Sequence, residues 1–147
     1  MPGTNREQSN TEGLPFVEGQ HINRQRDLHD RFGGTRQSGI SPCAKFPFIF
    51  LFTAASGKQH GYKDRWLSET TFEITGEGQF GDMEMKRGNR AVLNHVKDGR
   101  ELHLFKKTSS GAYEYLGQFE YESHTLLAGE DTERKSRQMI QFRLRKL

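Results

Sequence analysis

Residues 46–54 read FPFIFLFTA, a nearly unbroken apolar run of strand length. No charge interrupts it, and it does not alternate as a half-exposed strand would. Such a run needs partners on both faces, so it predicts a strand buried on both sides at the centre of a sheet. At six contiguous apolar residues, PFIFLF is far too short to span a membrane. The chain must therefore bring enough other strands around it to cover it.

Those strands are legible. TTFEIT (residues 70–75) alternates. RELHLFKK (100–107) and YEYLGQFEYES (113–123) lie on either side of the turn SSGA, and Gly117 inside the second marks a bulge or bend. RQMIQFRLRKL (137–147) places Met139, Gln141, Arg143 and Arg145 opposite Ile140, Phe142 and Leu144, a strand with one apolar and one basic face. GNRAVLNHVKDG (88–99) predicts a short helix capped by Asn89, with Ala91, Val92, His95 and Val96 on one face and Gly99 at its end. QHINRQRDLHDRF (20–32) predicts a short polar helix closed by Gly33 and Gly34. GGTRQSGISP and ASGKQHGYKDRW read as loops. The expected fold is mainly β (α+β): a bent sheet or closed barrel of about five to seven strands, mostly antiparallel, with one or two short helices. Residues 1–13 read as a flexible polar tail, and residues 14–147 as one domain.

Hydrophobic residues are only 32% of the 147, but eleven phenylalanines keep the chain in the globular class. The net charge of +3 is consistent with an anionic partner. Residues 134–146 carry six cations and no acid, and residues 24–45 carry five cations against Asp27 and Asp30. On charge alone, a solvated face explains both. Cys43 is the only cysteine, which excludes an intrachain disulfide, suits the cytoplasm and reads as a small buried hydrophobe. No apolar segment suggests a membrane partner.

Catalytic signatures are weak. Asp64, Asp82, Glu84 and Lys86 could hold a metal ion in a small metal-dependent nuclease. His29 and Asp30 resemble part of a histidine–metal site, but the six histidines are scattered. GEGQFG lacks the lysine and helix start of a phosphate loop. No cofactor is implied. A binding reading fits better. Tyr62 and Trp66 share a glycine-flanked loop with Asp64, where rings could sandwich a planar group and a carboxylate could accept from an exocyclic amine. Alternatively, the two rings simply cover the end of a barrel.

The order of short blocks then becomes informative. FVEGQHINR, RQSGI, PFIFLF, the Gly61–Tyr62 pair, FEITGEGQ, GNRAV, GRELHLFKK, YEYLGQFEYES and IQFRLRKL, in that sequence, resemble the blocks of SRA (SET and RING associated) domains. GYKDRW, GEGQFGDM and LHLF also resemble the SRA-like modules of bacterial modification-dependent restriction enzymes, in which a reader is joined to an HNH nuclease. No HNH cluster occurs here. The resemblance implies an SRA/PUA-like barrel and a non-catalytic reader that flips modified cytosine (5-methyl or 5-hydroxymethyl) out of double-stranded DNA. It also implies a possible nuclease domain or subunit as partner. A PUA-like module for RNA is the alternative of the same shape.

Residue by residue, the resemblance makes Tyr62 the stacking ring and Asp64 the reader of the cytosine amine, with Arg65 nearer the strict alignment. Ile74 falls on the second stacking position, so either Trp66 replaces that ring or one wall is aliphatic. Thr75, Gly76, Glu77 and Gly78 line the base pocket. Arg36 or Gln37, beside Ser38, plugs the vacated stack. The second plugging loop is short here, with residues 83–87 in its place. Gln79, Lys86, Arg87, Asn89 and Arg90 complete the expected DNA contacts.

Overall fold

The computed structural model describes residues 14–54, 58–59 and 62–147, the side chains of Lys58, Gln59, Tyr62 and Lys63 excepted. The expected tail, residues 1–13, lies outside the described residues. Among these there are ten strands. They are β1 (His21–Asn23), β2 (Ile40–Pro42), β3 (Phe48–Thr53), β4 (Lys58–Gln59), β5 (Tyr62–Lys63), β6 (Arg65–Trp66), β7 (Thr71–Thr75), β8 (Glu101–Ser109), β9 (Ala112–Glu130) and β10 (Ser136–Lys146). A wide π-type turn (Arg24–His29) runs into one α-turn, α1 (Asp30–Phe32). A second helix, α2 (Gly88–Leu93), follows β7.

The main sheet has the order β2-β3-β8-β9-β10-β7-β6, with β1 added to the start of β9. It is strongly bent and not closed by hydrogen bonds, so of the two forms expected the bent sheet is the one observed. Pairing is antiparallel except between β3 and β8, where Phe48 faces Glu101 and Thr53 faces Lys106. That parallel pair obliges a long crossover, and the crossover carries β4 to β7 and α2.

β3 is covered on both faces, as its composition requires. Ile49 and Leu51 enter an aliphatic core with Leu102, Leu104, Ile140, Phe142 and Leu144. Phe48 and Phe50 enter a second core with Leu28, Cys43, Phe105 and Tyr115. Phenylalanine supplies most of that second core, through edge contacts such as Phe50 on Phe105 (5.7 Å) and Phe32 on Phe46 (5.3 Å). Cys43 is fully buried within it, and burial pushes its thiol up to about 11, so it is not a nucleophile.

β9 makes the bend. Its first half pairs with β8 and its second half with β10. Between them Gly117 adopts φ +116° opposite a register shift at Leu104/Phe105, the bulge expected from the sequence.

Five sequence expectations are corrected. Residues 55–66, read as loop, contain the short paired strands β4, β5 and β6. Residues 20–32 do not form one polar helix, because His21–Asn23 pair with β9 and only the remainder coils. Ile40–Pro42, read as loop, pairs with β3. Asn89 does not cap α2; Arg87 precedes the helix without a side-chain cap, and Val96 is 63% exposed instead of sharing the buried face. The basic face of β10 is not free. Arg143 pairs with Glu73 (3.1 Å), Arg145 with Glu120 (2.7 Å) and Lys146 with Glu18, while Met139 and Gln141 are buried.

Gly117→Ala tests the bend. A Cβ there lies 3.3 Å from the Glu18 carboxylate at a left-handed φ. The substitution is expected to cost about 1–2 kcal/mol, read as a lower urea midpoint at unchanged slope.

Candidate functional site

The curl of the sheet brings β3 and β7, with three strands between them in the hydrogen-bonded order, to opposite walls of one cavity of about 430 Å³. Phe52, Thr53 and Ala54 line it from the end of β3, and Ile74 and Thr75 from the end of β7. Gly76, Glu77, Gly78 and Gln79 continue the β7 wall. Gln37, Ser38 and Gly39 form the rim before β2. Arg24, Lys107, Tyr113, Arg137 and Asp64 also line it, with Ile40, Met83, Thr132 and Met139.

Asp64 sits between the two walls. Its Oδ2 accepts from Thr53 Oγ1 (2.6 Å) and its Oδ1 from the Thr75 amide (2.9 Å). Burial raises its pKa, against the lowering effect of these hydrogen bonds. The Thr75 hydroxyl is close enough to the carboxylate to add to that lowering, yet it is buried and meets no partner at hydrogen-bond geometry. Arg137 Nε is likewise buried without a partner. Two residues of the cavity wall thus carry a buried polar atom without a hydrogen-bond partner.

Arg24 organises the opposite wall. Its guanidinium lies flat on Phe52, 3.5 Å from the ring centroid. Nη2 donates to the carbonyls of Thr35 (3.0 Å) and Ser38 (2.7 Å), and Nη1 to Tyr113 Oη. Nε donates to His29 Nε2 (2.9 Å), which assigns the remaining proton to Nδ1, donating to Gly33 O. Burial lowers the His29 pKa, in keeping with a neutral ring. The wide turn is what aims Arg24 and His29 at the same loop.

The β7 wall is held by α2. Asn89 Oδ1 accepts from the Glu77 amide (2.8 Å), and Nδ2 donates to the carbonyls of Glu77 and Glu84. A Cβ on Gly76 would lie 2.7 Å from Asn89 Oδ1. This glycine is therefore required by the helix behind the wall, not by a ligand in front of it.

The expected site residues divide accordingly. Asp64, Ile74, Thr75, Gly76, Glu77, Gly78, Gln37, Ser38 and Gln79 converge on the cavity. Trp66 does not. It lies on β6, packed edge-on against Phe72 (5.2 Å), and is 41% exposed outside the lining. Asn89 is 1% exposed and its amide is used internally, so it supports the loop and does not reach a surface. Arg36 and Arg90 are exposed, Lys86 pairs with Glu84 (3.2 Å), and Arg87 stands at φ +53° beside a second, shallower groove. The side chain of Tyr62 lies outside the described residues. Arg24, Phe52, Lys107, Tyr113 and Arg137 were not expected; nothing local in NRQRD or in the phenylalanine run marks them as cavity residues. The acids of the nuclease reading are dispersed. Asp82 accepts from the Gln138 amide (2.7 Å), and no group of three potential ligands occurs among the described residues.

Residues 18–147 match the family described as ScoMcrA-like, SRA domain. The chain belongs to that family. Among solved structures, this domain is similar to the sulfur-binding and SRA domains of ScoMcrA complexed with phosphorothioated DNA (TM-score 0.72, 21% identity, 91% of this chain and 40% of that one). It is similar to the SUVH5 SRA domain in complex with fully methylated CG DNA (TM-score 0.63, 20% identity, 92% of both chains). The MspJI restriction endonuclease in complex with a 27-mer oligonucleotide is a third (TM-score 0.72, 15% identity, 99% of this chain and 45% of that one). The SRA-like domain thus spans less than half of the two restriction proteins. No curated protein matches.

Arg24→Lys keeps a charge but loses the planar fork. It is expected to speed amide hydrogen exchange in loop 35–38 and to cost about 1–3 kcal/mol, from the buried carbonyls left without a donor.

Proposed function

We propose that this SRA-like domain is a non-catalytic reader of modified cytosine in double-stranded DNA, taking the base into the cavity beside Asp64. The observation that carries this reading is the Asp64 carboxylate held on the cavity wall between the Thr53 hydroxyl and the Thr75 amide. Each Asp64 oxygen already accepts one internal bond and has a lone pair left for the amine of cytosine. Arg24 and Tyr113 line the same cavity. A cavity of about 430 Å³ is in the range that holds small ligands. The similar structures support the reading by what they contain, which includes the SUVH5 SRA domain bound to fully hydroxymethylated CG DNA.

On this reading Tyr62 is the first stacking wall and Ile74 an aliphatic second one. Arg36 and Gln37, on the loop that Arg24 secures, fill the vacated stack. Lys86, Arg87 and Arg90 contact phosphates. Flipping costs a few kcal/mol, which the pocket contacts offset. Cleavage, where it occurs, belongs to another domain or subunit of a cytoplasmic restriction system.

Fluorescence anisotropy on duplexes carrying cytosine, 5-methylcytosine or 5-hydroxymethylcytosine at one position tests this. A modified duplex is expected to bind at least about tenfold more tightly, the equivalent of roughly 1.4 kcal/mol. Equal binding of all three would end the reading. Tyr62→Ala is expected to abolish the preference and leave the salt-dependent background.

Asp64→Asn separates function from stability. The folded-state pKa of Asp64 is raised, so the ionised carboxylate is a cost to folding at neutral pH. The favourable contribution exists below the unfolded-state pKa and is lost as pH rises through the folded value. Asparagine can keep both internal bonds without that charge. The variant is expected to lose preference for modified DNA while its Tm at pH 7.5 rises. The gain should vanish near pH 3.

A further inference from the structure

Phe80 is 62% exposed, yet the loop that carries it is fixed on every side. Arg137 Nη1 donates to the carbonyls of Gly78 (2.7 Å) and Gly81 (3.2 Å). The Gly81 amide donates to Asp131 Oδ2 (3.2 Å), and Thr132 donates to the Gln79 carbonyl through both its amide and its hydroxyl (3.1 Å each). Asp82 accepts from the Gln138 amide. Single exposed apolar residues are ordinary and need no account. This one differs in place and in mounting. Gly78 and Gln79 line the cavity, and Phe80 follows Gln79 by one Cα step of about 3.8 Å. A mobile loop could fold such a ring inward; this loop is held with the ring outward at the cavity rim. The adjoining turn, residues 131–135, also presents exposed Arg134 and Lys135.

We propose that Phe80 is a preorganised wedge that enters the DNA base stack beside the nucleotide whose base occupies the cavity. The proposal rests on the base-pocket reading above. A base in the cavity leaves its own sugar–phosphate at the mouth, so the flanking base step must lie against the rim. An apolar side chain inserted between base steps unstacks them at little cost where one base has already left. Fixing the loop in advance removes the ordering entropy that binding would otherwise incur. Arg134 and Lys135 then meet the adjacent phosphates.

The test compares the full chain with Phe80→Ala and Phe80→Trp on two probes: a duplex with one 5-methylcytosine, and the modified strand alone. 2-Aminopurine beside the modified base reports unstacking. Phe80→Ala is expected to weaken duplex binding about tenfold and single-strand binding by no more than about twofold, since the single strand has no stack to open. The aminopurine signal of the duplex complex should fall, and Phe80→Trp should restore both. The thermal midpoint should stay within about 1 °C, as for an exposed site. Unchanged duplex binding with discrimination intact would overturn the wedge and leave the pocket reading standing. Equal weakening on both probes would make Phe80 a pocket residue and overturn the wedge as well. Self-association of the wild type that Phe80→Ala abolishes without affecting DNA binding would reassign the ring to a protein contact. If the wild type does not distinguish modified duplex at all, the pocket reading falls and the wedge with it.

Discussion

Thr53 ends β3 and Thr75 ends β7, and no backbone ladder joins those two strands. The Asp64 carboxylate joins them, one oxygen to each. The sheet is open by its hydrogen bonds but spanned at one end by this side chain. A carboxylate is suited to the task because its two oxygens accept from two directions at once. It is also a costly choice, because the position is desolvated. Everything else in the cavity follows from that span. The β3 wall is placed by a strand buried on both faces, the β7 wall by the docking of α2, and the space between is set by one residue.

The two walls differ in what maintains them. The β7 wall is a backbone surface, with glycine where α2 approaches too closely for a Cβ and Asn89 satisfying its amides from behind. The rim before β2 is held by Arg24, itself fixed by the face of Phe52 and by His29, and by the Phe52 amide donating to Gly39 O and the Thr35 amide to Ser41 Oγ. The first wall is satisfied from behind by one amide side chain. The second includes a guanidinium whose bond to His29 requires a neutral imidazole, which burial favours.

The parts of this architecture legible in the sequence are those with a strong period or a strong exclusion. β3 is readable because an apolar run without alternation has one reasonable fate. β7, β8 and the bulge at Gly117 follow from alternation and from a glycine where a strand must bend. The errors share a cause, which is that partners distant in sequence decide the outcome. β10 looked basic on one face because Glu73, Glu120 and Glu18 lie on other elements and cannot be assigned to it beforehand. Asn89 looked like a cap because a cap is its commonest local role, whereas here its amide bridges to another segment. Trp66 looked like a pocket wall from its nearness to Asp64, but Asp64 precedes β6, and the pairing of the short β6 with β7 sets Trp66 against Phe72. Arg24 had no legible signal, because its role arises only when a wide turn, a phenylalanine on β3 and a loop before β2 meet.

With Arg143, Arg145 and Lys146 paired and Arg137 buried, β10 itself is not a free basic face. The exposed cations near the cavity are Arg36 beside the rim, Lys107 at the lining, and Arg134 and Lys135 on the turn tied to loop 78–82. They come from separate segments, each anchored to a wall of the cavity by hydrogen bonds of its own. A polyanion attracted to such a ring is centred on the cavity opening, whereas one attracted to a basic strand would lie along that strand.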